Sequence, residues 1–278
     1  MTLPPPACYF PIRGGRYDVA PALRPLDTPF GNGEADRQVF QLDDRFSECR
    51  SNKRACRSAL PGRHRYSGDL EPEAACHAAA FIAQQLAREH PAWFSLAETP
   101  GGTRLECRLT GETLYFDRGM RLDRVEGSAG VLAYADALDA LCSQFQEDLA
   151  IVRAEPGRGD WLAAYQICAP THWAPEEKAG KSFAAIHAPV PGIEPIVRVA
   201  DAMVDAMVNR GPFVRFVWGI DTDPARTATP CRRPEKSMVG RAPRSIRASP
   251  PPSFSGSSVR CWSAFPVPAP HSSLSGSI

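Results

Sequence analysis

His187 stands in the run Ile186-His-Ala-Pro-Val-Pro191, and its setting suits chemistry better than that of any other histidine in the chain. Prolines at 189 and 191 fix their own φ and bias Ala188 and Val190 toward extended backbone. The spacing predicts a strand over 182–187 with His187 at its stiff end, a usual way to present a metal or cofactor ligand. The plain alternative is a core histidine whose ring nitrogen bonds a carbonyl. Tyr165 lies on an apolar run, 161–168, that reads as a strand, and by itself it reads as a half-buried strand tyrosine. Asp221 and Asp223 follow a strand-like stretch at 213–220 and read as turn residues. His172, in Pro-Thr-His-Trp, is the second histidine candidate, in a more exposed turn. His64, His77 and His90 have no partner spacing and read as surface or capping residues. Glu147-Asp148 ends a helical period at 130–147, where acids oppose the helix dipole, a mild sign of another duty.

Several elements must hold these groups in place. Residues 71–90 predict a helix, with Pro72 in its first turn and Ala75, Ala79, Phe81, Ile82 and Leu86 on one face. Residues 104–109 and 112–116 predict a strand pair turning at Thr110-Gly111. Residues 130–147 predict a second helix through Leu132, Ala135, Leu138, Leu141, Cys142 and Phe145, and 196–208 a third. The Pro-rich opening, 1–30, carries an apolar strip at 10–17 that wraps the body. Helices and strands alternate without a regular βαβ repeat, so the fold class is α+β. No Walker loop and no G-x-G-x-x-G occurs.

The 278 residues are 43% hydrophobic, enough for a substantial core. A net charge of +1 averages two unlike parts. Residues 225–278 hold eight of the 32 basic residues and one of the 31 acidic ones, which leaves 24 against 30 in the body, a net charge of −6. An acidic body argues against nucleic acid as the partner. The nine cysteines form no C-x-x-C pair and are odd in number. They read as scattered reduced thiols in a cytoplasmic protein rather than a disulfide framework or zinc site. No signal sequence or long apolar run points to secretion or the membrane.

After Asp223-Pro224 the character changes. Of the 54 residues in 225–278, 24 are Pro, Ser or Gly, and no amphipathic period survives. The stretch reads as a basic, disordered tail. It also reads as a frameshift. GC-rich codons compatible with 257–278, taken from the third base of the Ser257 codon, allow an ending L-F-T-I-R-V-Y with strand character. On that reading a closing strand is lost and a sheet edge is left unpaired.

Five segments together resemble one family: Phe10-Pro-Ile-Arg13, Gln146-Glu-Asp-Leu149, Trp173 with Lys178-x-Gly180, Ile186-His-Ala-Pro-Val-Pro191 and Trp218-Gly-Ile-Asp-Thr-Asp223. The family is that of the alpha subunit of haem-dependent oxidative N-demethylase, and the resemblance spans about residues 8–224. It implies a PAS-like α+β domain over 1–224 that binds haem b and uses O₂ to remove a methyl group from a small secondary amine. Electrons would come from NADPH through separate flavin and iron–sulfur reductase subunits. It implies His187 as the axial iron ligand, leaving the opposite face open. Lys178 and Arg215 would neutralise the haem propionates, though either reads equally as a surface charge. Tyr165 would orient substrate or oxygen, and Asp223 or Glu194 would pair with the substrate ammonium. A PAS-like haem or small-molecule sensor without turnover is the other reading, and an inactive truncated copy the third.

Overall fold

The computed structural model describes residues 2–7, 23–127, 133–170, 173–190 and 192–215. The apolar strip at 10–17 and everything from 216 onward, including the tail and its frame, lie outside them. In chain order, β1 (Arg24–Pro25) and a 3-10 turn (Gly33–Arg37) precede α1 (Phe46–Ala59), α2 (Pro61–His64) and β2 (Arg65–Tyr66). Next come α3 (Pro72–Glu89) and four strands, β3 (Phe94–Thr99), β4 (Gly102–Cys107), β5 (Glu112–Asp117) and β6 (Leu122–Glu126). They are followed by α4 (Ala137–Cys142), β7 (Leu149–Glu155) and β8 (Gly159–Gln166). A 3-10 turn (Pro175–Glu177), α5 (Phe183–His187), α6 (Glu194–Val197), α7 (Ala200–Asn209) and β9 (Phe213–Val214) complete the described part. The class is α+β, as the alternation predicted.

Helix α3 forms where its pattern says it should. Pro72 occupies the first turn, and Ala78, Ala79, Ile82, Ala83 and Leu86 bury one face. That face belongs to one core with Phe94, Leu105, Leu114 and Phe116 of the antiparallel meander β3-β4-β5-β6. The β4–β5 turn closes at Gly111, whose φ of 71° suits glycine. Strand β8 lies between β2 and β7 in a second antiparallel sheet. Its run from Trp161 to Gln166 is buried throughout, so it reads as a continuous apolar stretch rather than an alternating one. Short strands β1 and β9 pair Arg24 with Val214 and Pro25 with Phe213.

Polar groups are built into this core. Lys53 is 2% exposed, and its ammonium donates to the carbonyls of Cys142 (2.8 Å), Phe145 (2.9 Å) and Glu147 (2.5 Å). Three donors meet three acceptors, and the Phe145 ring lies 4.6 Å from the charge. Glu112, equally buried, accepts from Arg50 (2.8 Å), the Tyr134 hydroxyl (2.8 Å) and Gln144 Nε2 (2.7 Å). Burial first, and the Glu112 charge second, push the Tyr134 phenol up to about 12.

Three expected elements differ. Residues 183–187 are helical rather than extended: Ser182 caps the helix by accepting from the Ala185 amide at 3.3 Å. Ala188 remains in the right-handed region (φ −47°, ψ −35°) despite the proline after it. The helix expected over 130–147 is restricted, among the described residues, to Ala137–Cys142, capped by Asp136 and ended by the turn that Lys53 holds. The third helix divides into α6 and α7 near Arg198 and Val199. Helix α1 is amphipathic but poor in apolar residues, and its buried positions are Phe46, Lys53 and Cys56.

Replacing Lys53 with Met keeps the stem but leaves three buried carbonyls without their donor. A loss of about 3 kcal/mol or more follows from the cost of unpaired buried groups. Urea unfolding should show it as a lowered midpoint with an unchanged slope.

Candidate functional site

His187 lies in the last turn of α5, half-buried. The helix is fixed to the start of β8, where Asp160 accepts from the Phe183 amide at 2.5 Å. Phe183 also packs with the small core of Ile193, Ile196 and Met203. The imidazole lies over the Phe183 ring, 4.1 Å between centroids, and its Nδ1 is 2.8 Å from the Phe183 carbonyl. A carbonyl only accepts, so Nδ1 carries the proton and Nε2 keeps its lone pair. Both readings of this histidine thus meet in one ring: one nitrogen bonds a carbonyl, and the other keeps the lone pair a metal would take.

Two cations attend it. Lys178 donates to the Ile186 carbonyl at 3.0 Å, closing the C-terminal end of α5. Arg215, one residue past β9, is half-buried, and its Nε has no hydrogen-bond partner among the described residues. Burial holds the His187 pKa below 6.5, and the charges of Arg215 and Lys178 push it the same way. The ring is therefore neutral at pH 7 although it sits at a helix C-terminus, where a cation is otherwise favoured. The structure brings His187, Lys178 and Arg215 together from three separate segments.

The turn carrying Lys178 has its own requirement. Gly180 has φ 69°, and its amide donates to the Leu162 carbonyl at 3.0 Å while the Leu162 amide donates to Lys181 at 2.9 Å. A Cβ at Gly180 would stand 3.1 Å from Asp69 Oδ2. Both conditions favour glycine in Lys178-x-Gly180.

The remaining candidates are placed differently. Tyr165 is fully rather than half-buried, 3% exposed, because β8 is covered on both faces, and its hydroxyl donates to the Arg63 carbonyl at 3.3 Å. Burial, with Glu176 and Tyr66 nearby, pushes its pKa up to about 12. It shares a cluster with Ile186, the neighbour of His187. Glu194 is exposed in the first turn of α6, where a carboxylate complements the helix end. Asp221, Asp223 and His172 lie outside the described residues.

Glu147 and Asp148 are structural acids, though not at a helix end. Glu147 Oε1 accepts from the Gln41 amide at 2.6 Å. The half-buried Asp148 accepts from the Cys168 and Ala169 amides at 2.9 Å each. Burial raises its pKa against the pull of Lys53 and those two bonds.

His77 is exposed as expected. His64 and His90 are not surface residues: they are 3% and 8% exposed. His90 Nε2 bonds the Phe40 carbonyl at 2.8 Å, and burial lowers its pKa. His64 Nδ1 bonds the Ile167 carbonyl at 2.9 Å and stands among cysteines, a grouping no local spacing announces.

A pKa held down in the fold means that the unfolded chain binds more protons below 6.5, so His187 contributes stability above that value and loses it as pH falls through the window beneath it. His187→Gln should therefore flatten the loss of stability between pH 7 and pH 5. Urea midpoints measured for both chains across that range check it.

A search of curated proteins gives no match. A family profile, haem-dependent oxidative N-demethylase, alpha subunit-like, matches residues 33–251, a span that begins after the N-terminal strip and continues past Pro224. With the greater part of its length matched, the chain belongs to the haem-dependent oxidative N-demethylase alpha subunit-like family.

Proposed function

We propose that this chain binds haem b through His187 and serves as the oxygen-dependent subunit of an enzyme that demethylates a small secondary amine. The observation that carries the reading is the fixed tautomer of His187, neutral and with Nε2 available, in a family named for haem dependence. The donor set fits the group. An imidazole suits iron, and the Arg215 guanidinium has an orphaned, buried Nε that a propionate carboxylate would satisfy. Lys178 would supply the second positive charge, and its turn keeps it beside α5.

Haem supplies the activation of O₂ and the oxidation of the N-methyl carbon. The net change consumes one O₂, two electrons and two protons, and returns the demethylated amine, formaldehyde and water. The protein binds and orients. Asp223 would pair with the substrate ammonium, and Glu194, exposed on α6, would act at the rim. Tyr165 already spends its proton on Arg63, so it would shape the wall beside Ile186 rather than act as a base. The meander packed on α3 supports a PAS-like reading of the domain. An alpha subunit implies further subunits, and we assign them electron delivery from NADPH through flavin and iron–sulfur centres. Among the described residues no helix is long and apolar enough to cross a membrane.

The full chain, and the body with the alternative ending restored, should each be expressed with ample haem. A Soret band that shifts or disappears in His187→Ala supports the assignment. Lys178→Gln and Arg215→Gln should each weaken haem binding roughly tenfold, the loss of one charge-assisted contact. A folded protein without a Soret band in either form refutes it. NADPH-linked O₂ uptake that rises with a methylamine, with the reductase subunits present, marks an enzyme; binding without uptake marks a sensor.

A further inference from the structure

Cys56 near the end of α1, His64 at the end of α2 and Cys168 just past β8 converge in the interior. They are 0%, 3% and 1% exposed. The two sulfurs and one ring nitrogen of His64 all lie within 4.8 Å of one another. None of the described cysteines is in a disulfide. We propose that these three side chains form a structural metal site for a thiophilic d¹⁰ cation, zinc in the first instance, independent of the haem reading.

The chemistry and the geometry both support it. Two thiolates and a neutral imidazole are a zinc donor set, and two thiolate charges balance a divalent ion inside a dry core. Tetrahedral zinc places its sulfur and nitrogen ligands about 3.5–3.8 Å apart, so an ion asks these atoms to close by at most about 1.3 Å. Nδ1 of His64 donates to the Ile167 carbonyl at 2.9 Å, which leaves the lone pair on Nε2, the nitrogen that would take the ion. The Ile167 amide returns a bond to the His64 carbonyl at 2.9 Å, which fixes the backbone on both sides.

Asn52 completes the surroundings. Its Nδ2 donates to the Cys168 carbonyl at 3.1 Å, and its Oδ1 accepts from the Cys56 thiol at 3.7 Å, a contact that thiol shares with the Cys168 carbonyl at 3.6 Å and that a bound ion would replace. Asp148 holds the Cys168 amide at 2.9 Å, so the ligand-bearing backbone is set before any ion arrives. The ion would tie α1, α2 and the end of β8 into one unit. Ligands separated by seven and by more than a hundred residues explain why no compact cysteine motif marks the site.

The test uses the full chain, reduced and stripped of metal, titrated with Co(II) alone and then with Zn(II). One equivalent of Co(II) should give a near-ultraviolet thiolate-to-cobalt charge-transfer band and intense visible bands of tetrahedral type, both abolished by Zn(II). Cys168→Ser and His64→Gln should lose these bands while keeping the far-ultraviolet circular dichroism of the parent. In the unaltered chain, Zn(II) should slow alkylation of Cys56 and Cys168 at least tenfold, as read by peptide mass spectrometry. This readout holds even where a substitution prevents folding. No cobalt band, bands that persist in a folded Cys168→Ser, or alkylation unchanged by zinc each overturn the proposal. So does a Cys56–Cys168 disulfide in the protein isolated without reductant.

Discussion

The ammonium of Lys53 is the contact on which the arrangement turns. A lysine in a core is costly unless each donor is used, and here the three N–H groups meet three carbonyls of the turn between α4 and β7. Once that turn is tied to α1, the side chains that follow it can act at a distance. Gln146 accepts from the Asp43 amide at 2.7 Å and donates to Asp43 Oδ1 at 2.8 Å. Glu147 holds Gln41, and Asp148 holds Cys168 and Ala169. Gln146-Glu-Asp-Leu149 is thus a set of clamps that binds the 41–43 segment and the end of β8 to the start of β7.

From there the position of His187 follows in steps. Strand β8, held by β2 and β7 on either side, also bonds the 180–181 backbone through Leu162. That fixes the turn carrying Lys178. Asp160, at the start of the same strand, anchors α5 by its first amide. The pairing of β9 with β1 delivers Arg215 from the far end of the described chain. One buried strand therefore organises imidazole and ammonium, the β1–β9 pairing adds the guanidinium, and burial, helped by the two positive charges, holds the imidazole pKa down.

Polar burial also explains what the sequence concealed. Hydrophobic periodicity reveals elements whose inner face is apolar, and α3, the β4–β5 hairpin and β8 are legible for that reason. Helix α1 is not, since lysine serves on its inner face. His64 and His90 look like surface residues because their carbonyl partners are 103 and 50 residues away. Pro189 and Pro191 suggested extended backbone before them, yet Ser182 capping and the Ala184-Ala185 pair favour a short helix, which tertiary anchoring through Asp160 completes.

By itself the sequence determined the α+β class, the main helix, the hairpin and the motifs that carry the family, because local propensity and spacing act over a few residues. It singled out His187 but could not say which nitrogen would be available, nor that Lys178 and Arg215 would join it. Those facts depend on a carbonyl one turn back and on strand pairing across nearly two hundred residues. The meeting of Cys56, His64 and Cys168 is likewise a product of the fold alone. Long-range contacts decide which polar atoms are paired and which are left with a lone pair, and the chemistry follows from that difference.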